Sequence, residues 1–437
     1  MSSFIERKKV AVHALLRKTE KYTKTDMVYF AKGSFWLTGG QVLSSVAVFL
    51  LAVAFARFIP KETYGTYKYI LSIVGILTVT TLRGMDGALT QAVAQANEGT
   101  LLPALKAKIR WGMLGAIGSI FFALYNYFMG NEVLTISFLV VAVFLPFMDS
   151  LGIYNAFLQG KKQFKTSATY TTASQILAAI ILIATVAITK NLYIILFAYF
   201  ASWTFLKLFF FTHAIKKFPP NQKADPSTLS YGKHSSVVSI TATVISSFDS
   251  IIMFHYLGSI ELAVYAFALA PVVQLRGLFN QIPILAIPKL AQRPAREIRQ
   301  ILWKRFFALF AAGSVIAASY IIAAPYLFSV FFPRYLESVA LSQVFSLSIP
   351  IALANTILGA AISSKLTSTP KKLLYLWNIP NIIFVIFVLI FIQPFGTMGV
   401  VVSRLVSLLS GVLIALYIWR MIEKKEEKQE EIVATKI

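Results

Sequence analysis

The sequence predicts an all-α integral membrane protein of about twelve transmembrane helices, arranged as two six-helix lobes related by a pseudo-two-fold axis along the membrane normal. Three observations carry this prediction. Of 437 residues, 57% are hydrophobic and 14% charged, whereas roughly a quarter of an ordinary soluble domain is charged, so lipid must cover most of the surface. The apolar residues fall in runs of about 20, the length that crosses a bilayer core as a helix. The basic residues between the runs alternate between rich and poor connections, as they do when one side is cytoplasmic.

The runs lie at 34–56, 64–82, 111–130, 133–154, 167–189, 191–213, 235–257, 262–287, 306–328, 338–363, 373–393 and 396–419. Twelve crossings put both termini on one side. Of the 41 basic residues, 33 fall on that side, and five (Arg57, Lys61, Lys68, Lys190, Arg334) fall on the other. Three, Lys207, Arg276 and Arg404, fall within the runs. The asymmetry predicts that both termini are cytoplasmic. It also accounts for the net charge of +23, so no nucleic-acid partner is expected.

The domain organisation follows. Residues 1–33 form a basic cytoplasmic N-terminal segment with scattered apolar positions (Phe4, Val10, Leu15, Leu16) but no continuous apolar stretch, so no cleavable signal is expected. Residues 34–213 make an N-lobe of spans 1–6, and 214–234 a cytoplasmic inter-lobe loop with Pro219, Pro220 and Pro226. Residues 235–419 make a C-lobe of spans 7–12, and 420–437 a charged cytoplasmic tail. Two window pairs suggest duplication. RFIPKETYGTYKY at Arg57–Tyr69 aligns with HYLGSIELAVYAF at His255–Phe267, and PFMDSLGIYNAFLQGK at Pro146–Lys161 with PIALANTILGAAISSK at Pro350–Lys365. Six spans preserve orientation, so such repeats are related by an axis along the membrane normal.

Several chemistries are excluded or unsupported. There is no cysteine, and the four histidines (His13, His213, His234, His255) are not at metal-ligand spacing. No phosphate-binding GxxxxGK[ST] or dinucleotide-binding GxGxxG run occurs. No cofactor and no metal are expected.

Ionisable groups inside spans face a bundle interior, because exposing one to lipid costs about 2.5–3.5 kcal/mol or more at mid-depth. Arg276, near the middle of span 8, and Arg404, in span 12, are candidates to line a cavity. Lys207 either joins them or snorkels to the inner interface. Asp249, in span 7, either orients one of the arginines or binds a coupling Na⁺ or proton. Asp149 in span 4 is placed to pair with Lys207, and Arg83 and Asp86 flank the inner end of span 2 as a gate or an interfacial pair. Gln41, Asn155, Gln159, Gln175, Asn280, Gln281 and Asn355 are polar positions available to bond sugars or neighbouring helices.

Six motifs occur in order: ARFIPKETYGTYKY, GMDGALTQAVAQ, NAFLQGKKQF, FDSIIMFHYLGSIELAVYAFA, IPKLAQ and FFPRYLESVALSQVFSLSIPIALANTILGAAISS. On these, over nearly all of residues 30–420, the chain resembles the Wzx-type oligosaccharide flippases of the multidrug/oligosaccharidyl-lipid/polysaccharide exporter superfamily. The resemblance implies a non-enzymatic exporter in the cell membrane that moves polyprenyl-diphosphate-linked oligosaccharide from the inner to the outer leaflet by alternating access. Surface polysaccharide biosynthesis and contact with glycan-assembly proteins follow from that role. Within this reading Arg276, Arg404, Lys207 and Arg83 bind the diphosphate, since arginine's planar fork donates in pairs. The competing readings are a drug/cation antiporter of the same superfamily and a membrane polysaccharide polymerase. Three basic against two acidic groups within the spans favours an anionic substrate over a cation, and the short outer loops leave little room for a polymerase site.

Overall fold

The computed structural model describes residues 27–279, 286–287, 290, 295–365 and 375–434. The first 26 residues of the basic N-terminal segment, and Asn280 and Gln281, lie outside the described residues.

Span 1 is Met27–Phe58, and Pro60 opens span 2 at Lys61. Span 2 is broken into Lys61–Leu77 and Gly84–Ala94, bent by 43°. The break is written in Thr78-Val79-Thr80-Thr81, which forms a single 3₁₀ turn. Its three hydroxyls donate back to the carbonyls of Gly75, Leu77 and Thr78 at 2.7–2.8 Å, so the side chains compete for helical acceptors. Leu82 then takes a left-handed conformation (φ 55°), which costs about 1–2 kcal/mol for a residue with a Cβ. Span 3 is Leu101–Phe128 and span 4 is Glu132–Met148 plus Tyr154–Gly160. Spans 5 and 6 are Phe164–Ile188 and Leu192–Lys217.

Spans 7 and 8 are continuous over Ser227–Gly277 except at Gly258, where φ is 88°. A straight helix of that length would measure about 77 Å, against a hydrocarbon core of about 30 Å. The chain doubles back instead: Tyr265 donates to Asp249, 16 residues earlier, a pair about 24 Å apart in a straight helix. Glycine has no Cβ to oppose the positive φ. Gly396 (φ 54°) does the same within Ile379–Ala434, where Ser407 Oγ reaches back to the Pro380 carbonyl at 2.8 Å. Span 9 is Ala295–Phe331, span 10 is Ser338–Ser346 plus Ser348–Ser364, and spans 11 and 12 flank Gly396. Among the described residues nine helices are long and apolar enough to cross a membrane, ten with the bent span 2. The two reversals bring the total to twelve, so the chain is an all-α, multi-pass membrane protein.

The helices outrun the apolar stretches. Span 6 runs to Lys217 and span 7 starts at Ser227, so the connection is shorter than the 214–234 read from the sequence. Apolarity marks only the lipid-covered part of a helix. The connection is docked: Gly99 N donates to the Lys223 carbonyl at 2.8 Å, and Asn221 N donates to Glu98 Oε2 at 3.1 Å. Hydrogen bonds from Ser227 and then Thr228 hold the exposed Asp225 carboxyl below the usual carboxylate range.

Both halves repeat one contact. Pro146 on span 4 presses its Cα on Gly112 of span 3, where a Cβ would lie 3.0 Å away. Pro350 on span 10 meets Gly313 of span 9 in the same way, at 2.6 Å. These prolines belong to the second pair of aligned windows. In the first pair, Pro60 aligns with Gly258, and both sit at the turn between the first two spans of their lobe.

On the face away from the termini the lobes share one apolar core, containing Phe55, Tyr67, Phe138 and Phe200 with Phe267, Phe328, Phe332 and Tyr335. Toward the termini the core divides. One cluster is built on Met85, Leu89, Leu105, Phe157 and Phe210 of the N-lobe, the other on Ile298, Leu302, Leu358 and Ile418 of the C-lobe. Span 2 forms the seam, with Tyr69 stacked on Phe254 (centroids 4.0 Å apart) and Gly65 against the Ser259 carbonyl. Arg57 donates to the Val330 carbonyl at 2.8 Å, and Lys61 pairs with Glu337, closing the seam away from the termini.

Candidate functional site

Gly258 and Gly396 place three polar groups of the C-lobe together. Asp249 lies nine residues before the first reversal, Tyr265 seven after it, and Arg404 eight after the second. Asp249 is buried, at 1% exposure. Its Oδ2 accepts from the Tyr265 hydroxyl and from Nε (2.8 Å) and Nη2 of Arg404. Its Oδ1 accepts from Ser250 N at 2.8 Å. Arg404 Nε also donates to Tyr265 Oη at 2.7 Å, and the guanidinium lies 5.3 Å from the Phe384 ring centroid. The carboxylate is fully engaged by donors, and its charge balances that of Arg404.

Beside this triad is a cavity of about 230 Å³ lined from spans 7, 8, 10, 11 and 12. Arg276 and Arg404 both line it, with Asn381, Ser246, Ser407 and Phe345 among their neighbours. Arg276 sits 6.0 Å from the Phe345 centroid and, among the described residues, has no acidic partner. The sequence placed it near mid-span, but it occupies the last turn of the described helix. A cation there meets the negative end of the helix dipole and is favoured. The cavity therefore carries one uncompensated positive charge, amide and hydroxyl groups, and an aromatic wall. That set suits an anion with several acceptor oxygens.

Lys207 and Arg83, grouped with these arginines by sequence, do not line this cavity. They belong to a separate N-lobe cluster at the two broken spans. Arg83 donates to Thr78 Oγ1 at 2.7 Å rather than pairing with Asp86. Asp86 instead takes Lys108 at 2.7 Å, and Asp149 accepts from Thr81 and lies 3.9 Å from Lys108. Lys207 lies against Gly152 and the Trp203 ring, 5.4 Å from its centroid. The centre of this cluster is Lys108, which is wholly buried although the sequence reading put it in a connection. Its signal was its place as the eighth residue of an apolar helix, facing acidic groups that only the fold brings near.

Four of the polar candidates converge. Gln41, Asn155, Gln159 and Gln175 line an uncharged cavity of about 100 Å³ between spans 1, 4 and 5, with Ser44, Ser167, Thr171 and Thr172. Asn155 Oδ1 accepts from Ser167 there. Asn355 stands apart on span 10 and leaves its buried Oδ1 without a donor.

No curated protein matches the chain. Among solved structures, a lipid II flippase MurJ in an inward closed conformation superposes with a TM-score of 0.64 and 13% identity over 93% of each chain. The eukaryotic MATE transporter AtDTX14 gives 0.61 and 12%, covering 92% of this chain and 98% of its own. A MOP superfamily transporter from Pyrococcus furiosus Vc1 (DSM3638) gives 0.56 and 13%, covering 91% and 96%. At such identities the likeness establishes the fold. The sequence profile described as polysaccharide biosynthesis protein matches residues 30–293, well over half of the chain. That match covers more than half of the chain, so the chain belongs to the polysaccharide biosynthesis protein family.

Proposed function

We propose that the chain is a flippase for polyprenyl-diphosphate-linked oligosaccharide, carrying it from the inner to the outer leaflet of the cell membrane for surface polysaccharide biosynthesis. The observation that carries this reading is the C-lobe cavity, where Arg276 adds an uncompensated cation to the neutral Asp249–Tyr265–Arg404 group. The diphosphate enters between the lobes, where the core is divided, and binds Arg276, Arg404 and Asn381. Gln41, Asn155, Gln159 and Gln175 offer amides and hydroxyl partners to the glycan in the N-lobe. The polyprenyl chain stays in the bilayer, and no covalent step is needed. Both termini are cytoplasmic in this scheme, so the cleft faces the leaflet where lipid-linked glycans are assembled.

Asp249 orients Arg404 and leaves it able to donate its remaining N–H groups into the cavity. The MATE likeness raises the antiporter reading, with Asp249 as the site of a coupling Na⁺ or proton. A carboxylate already holding four donors is poorly placed to take a cation as well.

The test is glycolipid translocation in vesicles reconstituted with the full chain. Arg276→Ala lowers transport at least ten-fold, the loss of a charge-assisted contact of about 1.5–3 kcal/mol, and Arg276→Lys recovers part of it. Asp249→Asn leaves the response to an imposed Na⁺ or proton gradient as in the parent. Normal flipping by Arg276→Ala at normal membrane level would overturn the anion-binding role. A lost gradient response in Asp249→Asn would favour coupling.

A further inference from the structure

A further cavity lies on the terminal side of the C-lobe, where the start of span 9 meets the end of span 12. Its volume is about 490 Å³. Span 12 contributes Leu416, Trp419, Arg420, Glu423, Lys424 and Glu427, positions that recur every three or four residues and so share one helix face. Span 9 contributes Arg299 and Trp303, one turn apart. Along this groove the lining changes from indole and leucine to charge, which is the profile of a membrane–water boundary. Leu413, Tyr417 and Phe307 are exposed on its membrane side, where acyl chains lie.

Two features indicate a phosphate-bearing occupant. Glu423, 8% exposed, pairs with Arg299 at 3.3 Å and so balances that cation. Arg420 and Lys424 on the same face have no acidic partner among the described residues, and they project two cations over the groove. Below them Trp419, 4% exposed, lines the cavity with an indole Nε1–H that has no acceptor. A buried N–H without an acceptor costs about 1–3 kcal/mol, so a phosphate oxygen there would remove a standing penalty.

We propose that this groove binds the head group of an anionic phospholipid from the leaflet on the terminal side. Arg420 and Lys424 hold the phosphate, Trp419 Nε1 donates to one of its oxygens, and Glu427, one turn beyond Glu423, accepts from a glycerol hydroxyl. Trp303 and Leu416 flank the upper acyl chains. Ile298, Leu302 and Ile418 behind the groove are buried in the C-lobe cluster, so the bound lipid tethers spans 9 and 12 at a place where the head groups lie. This site is independent of the flippase reading, because neither Arg276 nor Arg404 lines it.

The experiment is native mass spectrometry of the full chain in detergent, with phosphatidylglycerol or phosphatidylcholine added. The expected result is a retained phosphatidylglycerol adduct in excess over phosphatidylcholine. The double variant Arg420→Gln/Lys424→Gln weakens it by about 10- to 30-fold, since each basic group near a lipid surface contributes about 1 kcal/mol. Trp419→Phe keeps the ring, loses the donor and weakens binding roughly five-fold. It keeps the proposal testable if the double variant misfolds. Equal retention of the two lipids, or unchanged retention in both variants, overturns it. Displacement of phosphatidylglycerol by excess inorganic phosphate also overturns it, by assigning the site to free phosphate.

Discussion

Replacing Asp249 with asparagine removes one charge and almost no volume, which makes it the cleanest probe of the C-lobe triad. The carboxylate accepts four hydrogen bonds, three of them on Oδ2. Asparagine has one acceptor oxygen. If that oxygen takes the Oδ2 position, the bond from Ser250 N is lost, the Tyr265 bond becomes neutral, and the two from Arg404 lose the acceptor's negative charge and keep only the donor's. A hydrogen bond to a charged group is worth about 1.5–3 kcal/mol and a neutral one about 0.5–1.5, so roughly 1 kcal/mol goes from each. The gross loss is about 4 kcal/mol, inside the 3–5 kcal/mol seen when a buried pair is broken. Arg404 keeps 29% of its side chain exposed to the cavity, where water replaces part of the partner, so a net loss of about 2–3 kcal/mol is expected. The assay is equilibrium unfolding in mixed micelles, titrated with SDS and followed by tryptophan fluorescence. Asp249→Asn, Arg404→Gln and the double variant close a cycle. The double variant should lose less than the two singles together, by about 1.5–3 kcal/mol. Additive losses, or a change under about 0.5 kcal/mol for Asp249→Asn, would refute the assignment of the triad as a coupled unit.

Lys108→Met leaves Asp86 and Asp149 without their shared cation. It should cost about 3 kcal/mol in the same unfolding assay, and a second change, Asp86→Asn, should restore part of it. Gly65→Ala forces a Cβ onto the Ser259 carbonyl at the lobe seam and should cost about 1–3 kcal/mol, whereas Gly87→Ala, with open space around it, should be neutral or stabilising. Cysteine at the exposed Ala224, in this cysteine-free chain, should resist an impermeant thiol reagent in intact cells and react after lysis. Labelling from outside would reverse the orientation.

The twelve spans were legible because bilayer thickness dictates run length, and both reversals fell where the apolar runs paused near Gly258 and Gly396. Depth could be read along each run, but rotation about its axis could not. That is why Arg276, Arg404, Lys207 and Arg83 looked like one set and separate into two. Asp249's partner was narrowed to two arginines, and choosing between them needed the reversal at Gly396. Lys108 was missed because its burial depends on Asp86 and Asp149, set beside it by the broken ends of spans 2 and 4. Gln41, Asn155, Gln159 and Gln175 converge because spans 1, 4 and 5 each turn polar positions inward. No periodicity in one span reports on another.

The matching pressure of Pro146 on Gly112 and of Pro350 on Gly313 bears on how such a molecule can change over time. In each half a proline backbone rests directly on a glycine backbone, with no side chain between them to be matched. Most surrounding residues are then free to be rewritten, each half drifting in its own direction, as long as that bare contact survives. What the two halves share at this place is a backbone contact between two helices, and no matching side chain.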